Sequence, residues 1–258
     1  PGSTELRDIF DRSIPVANDT SAAVGFAPLS ETEQVVLDAE GYINSDDFKQ
    51  RFPVAGEDVK IMAARHFDQL HLTIAIAMVV RFVVSESDYF EQKHAIRADI
   101  ESYVDGRLGK LALATIDVNT LDDPQRGQAG MYLTVLGTSA ESGDGGEVGR
   151  GNAVNGLISL NRPTSNEAAA GKNTTCHVGN IYNHLSHRIA DQIVAQIEPV
   201  RESYVWLCSQ IGRPVGEPWS ASVRVSLADG VDVDDIRAQV ESILHGELKA
   251  SHSITGPP

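Results

Sequence analysis

The chain has 258 residues, 41% of them hydrophobic, and a formal charge of −15 at neutral pH. That length and apolar content suffice for a sizeable buried core in one large domain or two ordinary ones. The acidity repels nucleic-acid backbones and anionic membranes as principal partners.

Cys176 and Cys208 are too few for a disulfide framework, which suits a reducing, cytoplasmic setting. The most apolar run, residues 70–84, is interrupted by His71, Thr73 and Arg81 and falls short of a membrane span. The chain opens PGSTELRDIF without an initiator methionine, and a segment upstream is expected.

In chain order, Ser30 and Glu33 fit a capping box, and Val35, Val36, Ala39 and Ile43 recur at helical spacing. They predict a helix over 28–52, weakened late by Gly41 and Asn44. Leu70, Leu72, Ile74, Ile76, Met78, Val80 and Phe82 alternate with their neighbours and predict one long strand. A helix over 88–103, strands over 111–118 and 131–136, and a short strand over 155–160 follow. Val178, Ile181, Tyr182, Leu185, Ile189, Ile193 and Ile197 return every three or four residues and predict a long helix. Strands over 204–209 and 221–227 lead to a helix over 233–248, whose early aspartates suit its positive end. The tail 251–258, SHSITGPP, is expected to be disordered. Strand often follows strand, which favours α+β over a doubly wound parallel sheet.

The chemistry is expected in two loops. GDGGEVGRGN, residues 143–152, holds five glycines around Asp144 and Arg150. Its glycines miss the dinucleotide register, and neither it nor AAAGKNTT is a Walker loop. What remains is backbone able to close on an anion, a guanidinium suited to phosphate and a carboxylate for an ammonium, a hydroxyl or a metal. A glycine-rich turn with solvated charges is the plain alternative. Lys172, just before the long helix, places a cation beside free helix amides, as a polyphosphate would require; a surface lysine is the alternative. Asp19 and Lys60 read singly as a turn aspartate and a strand-edge lysine. His177, His184 and His187 share only a loose helix face, and no carboxylate or cysteine joins them at metal spacing. Cys176 reads as a packed residue rather than a nucleophile.

Together, VANDTSAAVGFAPLSETE, GEDVKIM, GTSAESGDGGEVGRGNAVNGLISLNRP and EAAAGKNTTCHVGNIYN resemble the archaeal-type S-adenosylmethionine synthetases, in the family's order. The resemblance implies interlaced α+β units around a pseudo-threefold axis, the first of them incomplete here, and a homodimer with active sites at the interface. It implies formation of S-adenosylmethionine from ATP and methionine, with Mg2+: sulfur attacks C5′, and the departing triphosphate is then hydrolysed. Carried over by motif, Asp19 would lie near methionine and the developing sulfonium, and Asp144 would hold methionine or the nucleoside. Lys60 would contact the phosphates, Arg150 would bind the triphosphate and assist its cleavage, and Lys172 would complete the phosphate clamp.

The sequence departs from that family in places. The GHPD motif has no counterpart, Ala153 and Asn180 stand where the archaeal pattern has arginine and lysine, and Thr174 replaces a proline. The alternative expectation is a truncated or divergent non-catalytic homologue acting as a dimerisation or nucleotide-binding partner.

Overall fold

The structure is a computed structural model that describes residues 15–138, 153–169, 171–172 and 177–253. It is α+β and divides into two compact units, one of residues 29–147 and one joining residues 1–28 to 148–258.

In the unit of residues 29–147, helix α1 (Glu31–Ile43) opens with the capping box read from the sequence: Glu33 N donates to Ser30 Oγ and Ser30 N to the Glu33 carboxylate. The single helix expected over 28–52 is two. Ser45 ends the first by donating to Tyr42 O at 2.7 Å and caps the second, α2 (Asp46–Arg51), by accepting from Phe48 N. An acceptor side chain at that point competes with continued helix.

Strands β2 (Ala55–His66) and β3 (Gln69–Val79) form an antiparallel hairpin. Helix α3 (Glu86–Asp105) then returns the chain so that β4 (Ala112–Val118) lies parallel to β3. The alternation expected to continue to Phe82 stops at Val79, where residues Val80–Phe82 turn into a 3-10 helix. Of the strand expected over 131–136, only β5 (Leu133–Thr134) pairs, with β3. Leu70, Leu72, Ile74, Ile76 and Met78 are fully buried on one face of β3, against Ala39 and Ile43 of α1 and Ile96 and Ile100 of α3. Truncating one of them to alanine is expected to cost about 2–5 kcal/mol. Asn119 takes the place of a strand partner: its Oδ1 accepts from Ile76 N at 2.8 Å and its Nδ2 donates to Ile76 O at 3.0 Å.

The second unit is built on β1 (Ala22–Ala27), β6 (Val200–Cys208) and β7 (Ser220–Leu227), antiparallel throughout with β6 central. Helix α4 (Val178–Gln196) lays its predicted apolar face on β1 and β6, and α5 (Val233–Lys249) packs on α4 through Ile236, Leu244 and Leu248. Gly25 makes this packing possible. A Cβ there would stand 2.1 Å from His187 N and 2.1 Å from Ser186 C, so the α4 backbone rests directly on β1. The strand expected over 155–160 does not form; this stretch is irregular, with Leu160 fully exposed. The tail continues α5 as a 3-10 turn over Ala250–Ser253, and residues 254–258 lie outside the described ones.

Candidate functional site

The segment 162–169 runs along the free edge of β1. Ser165 Oγ accepts from Val24 N at 3.0 Å, and Asn166 Oδ1 accepts from Ala22 N at 3.0 Å. Asn166 N donates back to Ala22 O at 3.2 Å. Side chains thus pair an edge that would otherwise stand open. They also deliver Glu167 to the first turn of α4.

There Glu167 Oε2 lies 2.8 Å from Lys172 Nζ, and Nζ donates also to Ala168 O at 2.6 Å. Two of the three ammonium donors therefore have partners. Gly179 makes room for the carboxylate, since a Cβ at 179 would stand 2.5 Å from Glu167 Oε2. The surrounding backbone is tied down by Asn183 Nδ2, which donates to Glu167 O at 2.9 Å, and Asn180 Nδ2, which donates to Ala169 O at 3.1 Å. Burial works to raise the Glu167 carboxyl. Hydrogen bonds from Lys172 and Ser21, with the nearby charges of Lys172 and His177, outweigh it and hold the group below the usual carboxylate range.

The ANDTS motif reaches the same helix end. Asn18 Oδ1 accepts from Val178 N at 3.1 Å, and Ser209 Oγ holds the loop by donating to Asp19 O at 2.8 Å. Asp19 itself is exposed, its Oδ1 accepting the local Thr20 N at 2.7 Å.

One expectation is corrected here. The amides beside Lys172 are not free: Val178 N bonds Asn18, Gly179 N donates to His177 Nδ1 at 3.1 Å, and the N–H groups of Asn180 and Ile181 go to His177 O. A helix start capped this completely offers its charge mainly through Lys172.

Lys60 stands on the edge strand β2, opposite Ala75, in the other unit. Its side chain is 64% exposed and 3.6 Å from Asp58. Asp144, Arg150, Thr174 and Cys176 lie outside the described residues. Asn180, where a lysine was expected, is buried and spent on Ala169 O, and Ala153 is exposed. His177 caps α4, His184 is exposed and His187 packs edge-on against Phe26. Among the described residues no three of His, Cys, Asp and Glu come together as a metal site.

The sequence reading passed over Glu167, Asn18 and Ser21. An acid five residues ahead of Lys172 was the visible signal for the first. The other two are recognisable only once β1 is seen to lie against α4.

The chain matches the S-adenosylmethionine synthetase (AdoMet synthetase) family over residues 1–256. It is 44% identical to the S-adenosylmethionine synthase of Methanothermobacter marburgensis, across 98% of this chain and 63% of that relative. It is 47% identical to that of Thermococcus onnurineus, across 96% of this chain and 61% of the relative. A probable S-adenosylmethionine synthase of Aquifex aeolicus is 44% identical across 96% and 62%. The chain thus spans somewhat over 60% of these curated relatives. Among solved structures, an unusual S-adenosylmethionine synthetase from Campylobacter jejuni superposes with a TM-score of 0.60, covering 96% of this chain and 64% of that one. At 17% identity the likeness is one of fold.

Proposed function

The chain belongs to the S-adenosylmethionine synthetase family, and from that premise we propose that it carries the larger part of an enzyme joining ATP to methionine. The observation that carries this reading is the convergence of the ANDTS loop and the Glu167–Lys172 pair on one end of α4. The thioether sulfur attacks C5′, the S–C5′ bond forms as the C5′–O bond breaks, and triphosphate leaves with the electron pair. Alignment and stabilisation of the departing anion are the main demands on the protein.

In this reading Lys172 gives its remaining N–H to a phosphate oxygen, while Glu167 and Ala168 O hold the ammonium in place. Asp19, exposed and negative, faces the developing sulfonium. Lys60 and Arg150 add cations to the triphosphate, Arg150 assisting its hydrolysis, and Asp144 holds methionine or the nucleoside.

Mg2+ is the ion this chemistry calls for. It is commonly held by one or two carboxylates with substrate phosphates and water. The described residues do not build that site by themselves: Glu167 is committed to Lys172, and Asp19 stands alone as an exposed carboxylate at this helix end.

A homodimer with shared active sites belongs to the same reading. Its support is the sheet face opposite α4, where half-buried Tyr204 and Trp206 stack at 6.0 Å with Arg224 over Tyr204 at 4.5 Å. A cytoplasmic location fits the substrates; among the described residues no helix is long and apolar enough to cross a membrane.

The test is formation of S-adenosylmethionine and release of phosphate from ATP and methionine by the protein that carries this chain, compared with its Arg150→Ala variant. Hydrolysis should fall more than ATP binding. Equal hydrolysis in the variant would remove Arg150 from its role, and no product from the unaltered protein would remove the reading.

A further inference from the structure

The strand that carries Lys60 begins irregularly. From the pair of Ala55 with Met78 to the pair of Val59 with Ile76, β2 advances four residues while β3 advances two, so residues 56–58 bulge out of the ladder. Carbonyls in such a break need donors from elsewhere. The junction of α1 and α2 provides them. Lys49 Nζ donates to Gly56 O at 2.7 Å and to Ala55 O at 3.1 Å, and Asn44 Nδ2 donates to Glu57 O at 3.3 Å. Three successive carbonyls are thus held by side chains. Lys49 is half-buried, and burial pulls its ammonium below the ordinary lysine value while the charges of Glu57 and Glu40 oppose that. A lysine with no task here would extend into water and avoid the desolvation.

The bulge in turn supports a second segment. Asp58 N donates to Gly137 O at 3.0 Å, and a Cβ on Gly56 would stand 2.4 Å from Gly137 Cα. Gly137 has a φ of +84°, which side chains rarely adopt, and its N–H donates to Thr134 Oγ1 at 3.0 Å. Lys60 follows the bulge directly, opposite Ala75, and Asp144 follows Gly137 by seven residues. Both chain segments therefore leave from one braced point, with the Lys49 ammonium bound to its carbonyls.

We propose that Lys49 is a positioning residue for the reaction: by holding the β2 bulge against Gly137, it sets where Lys60 stands and where the segment bearing Asp144 leaves the sheet. This inference rests on the roles proposed above for Lys60 and Asp144. Lys49 itself meets no substrate; it acts through the backbone.

The test compares the protein that carries this chain with its Lys49→Ala variant in two ways: hydrogen exchange at the amides of Asp58 and Gly137, followed by NMR, and formation of S-adenosylmethionine. Exchange at both amides should quicken at least about tenfold while that of β4 is unchanged, and kcat should fall at least about tenfold. Propylammonium, which replaces the lysine atoms lost beyond Cβ, should restore slow exchange and kcat together. Tetramethylammonium at the same ionic strength has no N–H and should restore neither. Lys49→Met keeps the packing of the stem and removes only the donors, and it serves where Lys49→Ala lowers the melting temperature. Unchanged exchange at Gly137 in both variants, or quickened exchange with an unchanged kcat, overturns the inference. If the unaltered protein forms no product, the synthetase reading falls, and the exchange result alone upholds or overturns Lys49 as the brace of this bulge.

Discussion

Glu167 Oε2 lies 2.8 Å from Lys172 Nζ, with both side chains 21% exposed and the carboxylate seated where Gly179 has no side chain. The pair fixes the ammonium beside the first turn of α4 and leaves part of its donor capacity for a ligand. Removing the carboxylate releases that geometry. In a cycle of Glu167→Gln, Lys172→Ala and the double variant, unfolding free energies should be non-additive by about 0.5–3 kcal/mol. Strict additivity would mean the two groups are not coupled in solution.

The same carboxyl gives a pH dependence. Its folded value lies below the ordinary 4.5, so its contribution to stability is complete above 4.5 and is lost as pH falls through the lower folded value. Urea midpoints measured from pH 7 to pH 3 should fall more steeply for the unaltered chain than for Glu167→Gln.

His187 acts on a different interval. Desolvation is the main cause of its lowered value; the Phe26 backbone bond opposes it and His184 adds to it. The native state therefore resists protonation at this ring, and stability present above the ordinary 6.5 declines as pH falls below it. His187→Phe should flatten the stability profile between about pH 7 and pH 5, and an unchanged slope would show that His187 does not contribute to it.

Gly25→Ala tests the packing of α4 on β1. The methyl group would meet backbone at 2.1 Å, which cannot rotate away, so overpacking should cost at least about 1–3 kcal/mol, read as a lower urea midpoint.

A polar network buried in the other unit gives an independent stability test. Lys93 Nζ lies 2.8 Å from Asp122 Oδ2, whose side chain is 3% exposed, and Tyr89 Oη donates to the same oxygen at 2.8 Å. Lys93→Met leaves that carboxylate without its cation and should cost about 3–5 kcal/mol.

Much of this fold was legible where one physical signal dominated. The alternating apolar residues of β3 and the repeated apolar positions of α4 are deeply buried faces, and their periods survive in the sequence. β1 was not legible because AAVGFA is small and carries Gly25, chosen by the proximity of α4 rather than by strand propensity. β2 is an edge strand whose charged residues and half-buried face blur the alternation. The site divides in the same way. Lys172 was marked by its place before α4 and Asp19 only by motif resemblance, whereas Glu167 gains its meaning from Gly179 and Asn183, which approach it only after folding.

The most direct test of the central claim is a calorimetric titration of tripolyphosphate into the unaltered chain and into Lys172→Ala. The account predicts saturable binding that weakens at least about tenfold in the variant, about 1.4 kcal/mol. Equal affinity in the two proteins would contradict it and remove Lys172 from the proposed site.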